Sequence, residues 1–203
     1  MKKATLTVFV LALALVLAGP ANAELVDFDS IIAADTERAI PTGYAGFTWD
    51  SLFAVMSDSY DYNPTNHNTV TFPSSPNAAF NGTGVVQVYA SKSTPFNLVG
   101  AYFSYFAVND GFSPYSSAGI TVTGYNSGRL VGAVHVSLTN NFVYQSLGLA
   151  NIDTVTFTTD EGVDKHWWLM DNMEYSAVPL PGTVWLLGSG FLGLAGWRRF
   201  RKI

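Results

Sequence analysis

The chain has 203 residues, of which 48% are hydrophobic and 12% charged; it contains no cysteine and its formal net charge is −5. All fifteen acidic residues lie between Glu24 and Glu174, where the only basic ones are Arg38, Lys92, Arg129 and Lys165; so acidic a body repels phosphate backbones and argues against a nucleic-acid partner. The missing cysteine excludes disulfides, zinc–thiolate sites, iron–sulfur clusters and a thiol nucleophile, leaving a core that must hold by apolar burial alone.

At the N-terminus Lys2 and Lys3 precede an uncharged apolar run from Ala4 to Gly19, and Pro20 then breaks the helix. Ala21-Asn22-Ala23 supplies the small residues that signal peptidase requires, so residues 1–23 read as a signal helix removed after Ala23. A permanent anchor helix is the alternative, but the run is short for a span of about 20 residues.

Residues 24–177 form the body, long enough for one core and too short for two ordinary domains. It has no internal repeat and almost no helical periodicity. Short runs of β-branched and aromatic residues recur instead between Gly, Asn, Ser and Pro clusters. Strands are expected over 24–29, 84–89, 96–108, 119–125, 130–138, 153–158 and 165–175. In the 130–138 run, Leu130, Val134, Val136 and Leu138 should face one side and Val131, His135 and Ser137 the other, the period of a half-buried strand. Asn126-Ser127-Gly128 signals a hairpin turn. Many short strands and no helices between them predict an all-β fold, an antiparallel jelly-roll-like β-sandwich, with an immunoglobulin-like sandwich as the alternative. In either topology the first and last strands can lie side by side. The segments 40–49, 122–125, 152–157 and 170–172 are also similar to a recurrent layout in exported sandwich proteins, which supports the fold and implies no reaction.

The C-terminal segment mirrors the first. Ser176 to Trp197 carries no charge, and Arg198, Arg199, Arg201 and Lys202 follow, the arrangement of a C-terminal transmembrane helix with a cytoplasmic basic stop. A helix from Pro181 to Trp197 would reach about 25 Å, slightly short of the hydrocarbon core. Val178-Pro179-Leu180-Pro181, the Gly-rich apolar run with Pro181-Gly182-Thr183-Val184-Trp185-Leu186-Leu187, and the basic cluster together resemble the PEP-CTERM sorting signal of Gram-negative bacteria that make exopolysaccharide. Leu180 stands where that family usually has Glu. The resemblance covers residues 178–203 and implies processing by a membrane-embedded exosortase near Val178–Pro181. Two prolines one residue apart fix an extended segment that lacks two amide donors, a shape open to a protease.

For chemistry within the body, His67, His135 and His166 are isolated and no zinc-binding spacing occurs. Gly188-Ser189-Gly190 lacks the strand-to-helix context of a nucleophile elbow. The sequence therefore predicts no enzyme, although paired carboxylates for glycoside hydrolysis cannot be chosen among fifteen candidates. Hard oxygen ligands on neighbouring first and last strands make Asp27, Asp29, Asp171 and Asn172 candidates for a structural calcium, against ordinary solvated loops. Trp49, Trp167, Trp168, Tyr60 and Tyr62 are candidates for stacking sugar rings. Trp167 and Trp168 point to opposite faces of one strand, so only one can enter the core. The expected partners are signal peptidase, an exosortase, the membrane before processing, and exopolysaccharide. The expected role is structural or adhesive at the cell surface or in the matrix; the rivals are a carbohydrate-binding module and a secreted glycan-active enzyme.

Overall fold

The computed structural model describes residues 22–33, 37–59, 61–63, 66–67, 70–106, 116–160 and 167–178, without side chains at 61–63 and 66–67. Signal helix, sorting motif beyond Val178 and basic tail lie outside these residues. Among the described residues no helix is long and apolar enough to cross a membrane.

The described residues of the body, Ala23–Ala177, form twelve strands: β1 Ala23–Val26, β2 Glu37–Ala39, β3 Thr48–Trp49, β4 Phe53–Ser57, β5 Asp61–Asn63, β6 Asn66–His67, β7 Asn77–Asn81, β8 Gln87–Tyr105, β9 Gly119–Asn126, β10 Arg129–Ser137, β11 Val143–Thr159 and β12 Trp168–Ala177. Their hydrogen-bonded path runs β10-β9-β11-β8-β12-β7-β4-β2, with β1 beside β12, β3 beside β8, and β5–β6 a separate pair. Every ladder between these strands is antiparallel.

Core contacts show that this path folds over itself. Three strands separate β4 from β11, which in a flat sheet would hold them about 19 Å apart. Yet the rings of Phe53 on β4 and Phe157 on β11 stand 5.7 Å apart edge to face, and Trp168 packs 5.7 and 5.5 Å from the same two rings. The fold is an antiparallel β-sandwich. Its first sheet holds β2, β4, β7, β12, β1 and the halves of β8 and β11 that pair at 96–103 and 143–152. Its second sheet holds β10, β9, β3 and the other halves, paired at 87–91 and 154–158.

Two long strands therefore serve both sheets, and each turns the corner where its pattern breaks. In β8 the burial alternation of Val88 and Ala90 stops at Lys92–Pro95 and resumes at Phe96 and Leu98. In β11 the register shifts three times between Ser146 and Thr154, at the positive-φ residues Gly148 and Asn151; such bulges bend a strand and sharpen its twist. The segments expected at 84–89 and 96–108 are thus parts of one continuous strand. The expected neighbours β1 and β12 do pair, Ala23 facing Ser176 and Val26 facing Met173. Ser127 and Gly128, both at positive φ, form the expected two-residue hairpin turn between β9 and β10. One expectation fails: Leu130 is 66% exposed, because a bulge between Leu130 and Gly132 resets the register, and inward facing begins only beyond it at Val134 and Val136.

Candidate functional site

The inner and outer faces of the second sheet differ sharply in chemistry. Val122, Val155 and Phe157 are fully buried, and the residues alternating with them are threonines. Cross-strand pairing sets these hydroxyls in rows: His135–Thr121–Thr158–Gln87, Ala133–Thr123–Thr156–Tyr89, and Tyr125–Thr154–Ser91. A row over four strands is about 14 Å wide. Gln87 Nε2 donates to Thr158 Oγ1 at 2.8 Å, Tyr89 is exposed, and Thr156 Oγ1 is covered yet has no hydrogen-bond partner. Charge appears only at the margins. At one end His135 Nε2 meets Asp160 Oδ2 at 2.5 Å; at the other Asp153 accepts from Ser127 N–H and Thr154 Oγ1. Thr121 Oγ1 donates to Asp160 at 3.5 Å rather than to the imidazole, so these three groups lack the hydroxyl–imidazole–carboxylate order that activates a nucleophile.

A second polar surface lies on the outside of the first sheet. Tyr144 on β11 and Tyr102 on β8 pack edge to face at 5.3 Å, and Tyr144 Oη donates to Glu174 Oε2 on β12 at 2.8 Å. The phenol reaches Glu174 by lying over Gly100, where a Cβ would come within 2.5 Å of both Tyr144 Oη and Gln145 O. Burial first, then the Glu174 carboxylate, push the Tyr144 hydroxyl up to about 12. This pair presents an aromatic edge beside a carboxylate, the combination that holds a sugar by its apolar C–H groups and its hydroxyls.

The tryptophans proposed for that task are elsewhere. Trp168 is 0% exposed and Trp49 only 6%; both belong to the sandwich core, where no sugar can reach them. Trp49 was drawn inward by Phe28, Phe47 and Phe53, with its indole N–H donating to Tyr44 O at 2.9 Å. Trp167 is half-buried against Phe106. Thus Trp168 is the core member of that adjacent pair, and its neighbour is largely covered as well. Tyr60 and the side chain of Tyr62 lie outside the described residues.

The four residues considered for calcium are brought together beside the middle of β12. Asp171 has its carboxylate fully buried under the 70–76 loop, accepting from Ser74 N–H at 2.9 Å, from Ser74 Oγ, and from Asn172 N–H at 2.7 Å. Burial pushes its carboxyl up to about 7; the Ser74 and Asn172 donors oppose that rise, and Asp29 adds to it. Asp29 accepts from Asn77 N–H and Asp27 from Asp29 N–H. Among the described residues no three His, Asp or Glu side chains group closely enough to hold a metal; the three aspartates accept from protein donors, whereas Asn172 Oδ1 and Asn77 Oδ1 are buried with no partner.

The first and last strands also build a lock at the terminal end of the body. Tyr175 Oη donates to Glu24 Oε2 at 2.5 Å, and Lys92 Nζ donates to Tyr175 Oη at 3.1 Å. That ammonium lies 4.4 and 4.3 Å from the ring centres of Phe47 and Tyr175, a cation–π contact with both rings. Burial lowers the Lys92 pKa, and Glu24 opposes the shift. Burial, then Glu24, raise that of Tyr175.

The pattern that sequence reading missed is T-x-T on paired strands: Thr121-Val122-Thr123 and Thr154-Val155-Thr156-Phe157-Thr158 announce a hydroxyl face once their pairing is known. Of the sorting residues, Ala23 lies in β1 and Val178 follows β12. Ala21, Pro179, Leu180, Pro181, Arg198, Arg199, Arg201 and Lys202 lie outside the described residues.

Comparison with known proteins gives distant structural similarities and a sorting signal. The K2 cleaved adhesin domain of Lys-gingipain is 16% identical, with a TM-score of 0.48 over 76% of this chain and 99% of that one. The K1 cleaved adhesin domain of Lys-gingipain from Porphyromonas gingivalis W83 is 13% identical, with a TM-score of 0.43 over 77% and 99%. TmCBM61, solved in complex with β-1,4-galactotriose, is 12% identical, with a TM-score of 0.38 over 65% and 87%. No curated protein is similar enough in sequence to count as a relative. Residues 177–202 match the PEP-CTERM protein-sorting motif, a signal that implies export as a membrane-anchored precursor and processing by an exosortase.

Proposed function

We propose that the mature body is a jelly-roll-like module of a Gram-negative cell surface or extracellular matrix, with a structural or adhesive role that depends on holding neutral exopolysaccharide. Before processing, a signal helix and a C-terminal transmembrane helix with its basic stop hold the precursor. The observation that carries the polysaccharide part is the uncharged Thr/Tyr face of the second sheet on an otherwise acidic body. Rows of hydroxyls and an exposed Tyr89 fit a neutral glycan, whereas the acidic body repels polyuronates and sulfated chains. The Tyr102–Tyr144–Glu174 surface supports the same reading at a second position.

The test is retardation of the mature protein in gels containing a neutral polysaccharide or a polyuronate. A neutral glycan should retard the parent, and a double change Tyr89→Ala with Thr123→Val should abolish the shift while leaving Tm within about 2 °C. Equal retardation of parent and variant, or a shift in polyuronate alone, sinks the assignment. For the sorting part, intact mass should lose both ends only in a strain that carries the exosortase.

A further inference from the structure

We propose that the body holds a calcium ion where the first sheet breaks beside β12, with Asp29 and Asp171 as carboxylate ligands, Asn77 Oδ1 and Asn172 Oδ1 as amide ligands, and Asp27 at the margin. The observation behind it is a surplus of buried acceptor oxygens that no donor in the protein meets.

Three chain segments meet there because two strands claim one place. On the edge of β12 away from β8, β7 pairs with Leu169 and Met170, and β1 pairs from Met173 to Ser176. Both run antiparallel to β12, so continuing either register sets Asn77 and Asp27 opposite the same residue, Asn172. Two strands cannot fill that position; the chain leaves β1 before Asp27 and enters β7 at Asn77. Pairing lapses on the other edge as well, where the register against β8 shifts between Asp171 and Glu174. The main-chain ladder is thus interrupted at Asn172, and residues 27–29, 74–77 and 171–172 line the gap.

What gathers in the gap is rich in acceptors and poor in positive charge. The Asp171 carboxylate is buried, and the charged neighbour it feels is Asp29, of the same sign. Basic side chains of the body are engaged elsewhere: Arg38 with Ile32 O, Lys92 with Tyr175, and His135 with Asp160. Asn77 is 1% exposed. Its side-chain N–H groups are spent on Phe28 O at 3.0 Å and Ile31 O at 2.6 Å, so turning the amide over cannot relieve the orphaned Oδ1. Asn172, in register across the gap, carries the second orphan. Burying acceptors without donors is costly, and burying like charges without a cation more so. A hard dication answers both, and calcium, which takes about six to eight oxygens in flexible geometry, suits mixed carboxylate and amide ligands better than magnesium does. Carboxylates alone do not make the site, since no three group closely enough; the amide oxygens complete it. Ser74 sets Asp171 in place through its N–H and hydroxyl. So bound, the ion ties the end of β1, the start of β7 and the middle of β12 at the point where the sheet lacks its own hydrogen bonds.

The mature protein is stripped with EGTA and titrated with calcium chloride or magnesium chloride, with binding heat and thermal unfolding as readouts. Calcium should bind at one site per chain with a Kd at or below about 1 mM, the range of extracellular sites. Saturating calcium should raise Tm by about 5 °C or more, and magnesium at the same concentration by less than about 1 °C. Asn172 has a φ of 49°, which glycine adopts freely, so Asn172→Gly removes the amide oxygen without straining the fold. Asp171→Asn removes the charge and keeps an acceptor for Ser74. In EGTA both variants should be at least as stable as the parent, while calcium affinity falls by at least about ten-fold in each. A parent whose Tm does not move in about 10 mM calcium overturns the proposal. A magnesium shift equal to that of calcium overturns it too, as does either variant responding to calcium as the parent does.

Discussion

The two sheets use the same strand geometry for opposite ends. In the first, β4, β7 and β12 are covered on both faces: Phe53, Val55, Ala79, Trp168 and Met170 join the sandwich core. Ala54, Met56, Ala78, Phe80 and Leu169 join an outer cluster capped by Phe72 and Phe106. In the second, one face carries Val122, Val155 and Phe157 and the other carries threonines. A sheet sealed on both sides is a scaffold; one left open with an uncharged hydroxyl surface is available to a partner. Mutations should therefore divide by sheet, large stability effects in the first and binding effects in the second.

The sharpest blow to the first sheet is Trp168→Ala, which empties the space among Phe53, Phe103 and Phe157 and should cost about 3–5 kcal/mol in chemical denaturation. Next comes Asp171→Asn, with the opposite sign. The Asp171 carboxyl rises from 3.8 to about 7 on folding, so its favourable contribution is complete below pH ~4 and is lost as pH climbs through 7. The variant keeps an acceptor for Ser74 and cannot ionise; it should be about 2–4 kcal/mol more stable than the parent at pH 8 and equal to it at pH 4, read from Tm at both. Gly100→Ala drives a Cβ against Gln145 O and the Tyr144 ring and should cost about 1–3 kcal/mol. The smallest effect belongs to the second sheet. Thr156→Val replaces a covered hydroxyl that has no partner and should gain up to about 1 kcal/mol, with glycan retardation unchanged because no sugar reaches that oxygen. A destabilised Thr156→Val would erase the contrast between the sheets.

What could be read in the sequence follows from the same contrast. Strands with one solvated face announce themselves by alternation, and β9, β10 and the second half of β11 were expected close to where they lie. The doubly buried β4 (Phe-Ala-Val-Met-Ser) and β7 (Asn-Ala-Ala-Phe-Asn) carry no alternation and are too short to be told from loops by pattern. The corner in β8 hid because Lys92–Pro95 reads as a break between two strands rather than a bend within one. The tryptophans misled for a related reason: adjacency says that two side chains oppose each other, not that the outer one is exposed, and the outer face of β12 carries its own apolar cover. The pairing of β1 with β12 was legible because both runs flank the body and complete its sheet, and the sorting signal was legible because order and charge alone define it.

Placing the last strand between β8 on one side and β7 with β1 on the other has a mechanical consequence. A pull delivered through residue 178 runs along the axis of β12, so its cross-strand hydrogen bonds are loaded together in shear instead of being peeled one after another. Because β1 lies antiparallel on the same strand, its hydrogen bonds to β12 share that load. Held through residue 178, the body would meet flow with the β12 ladders aligned to the strain.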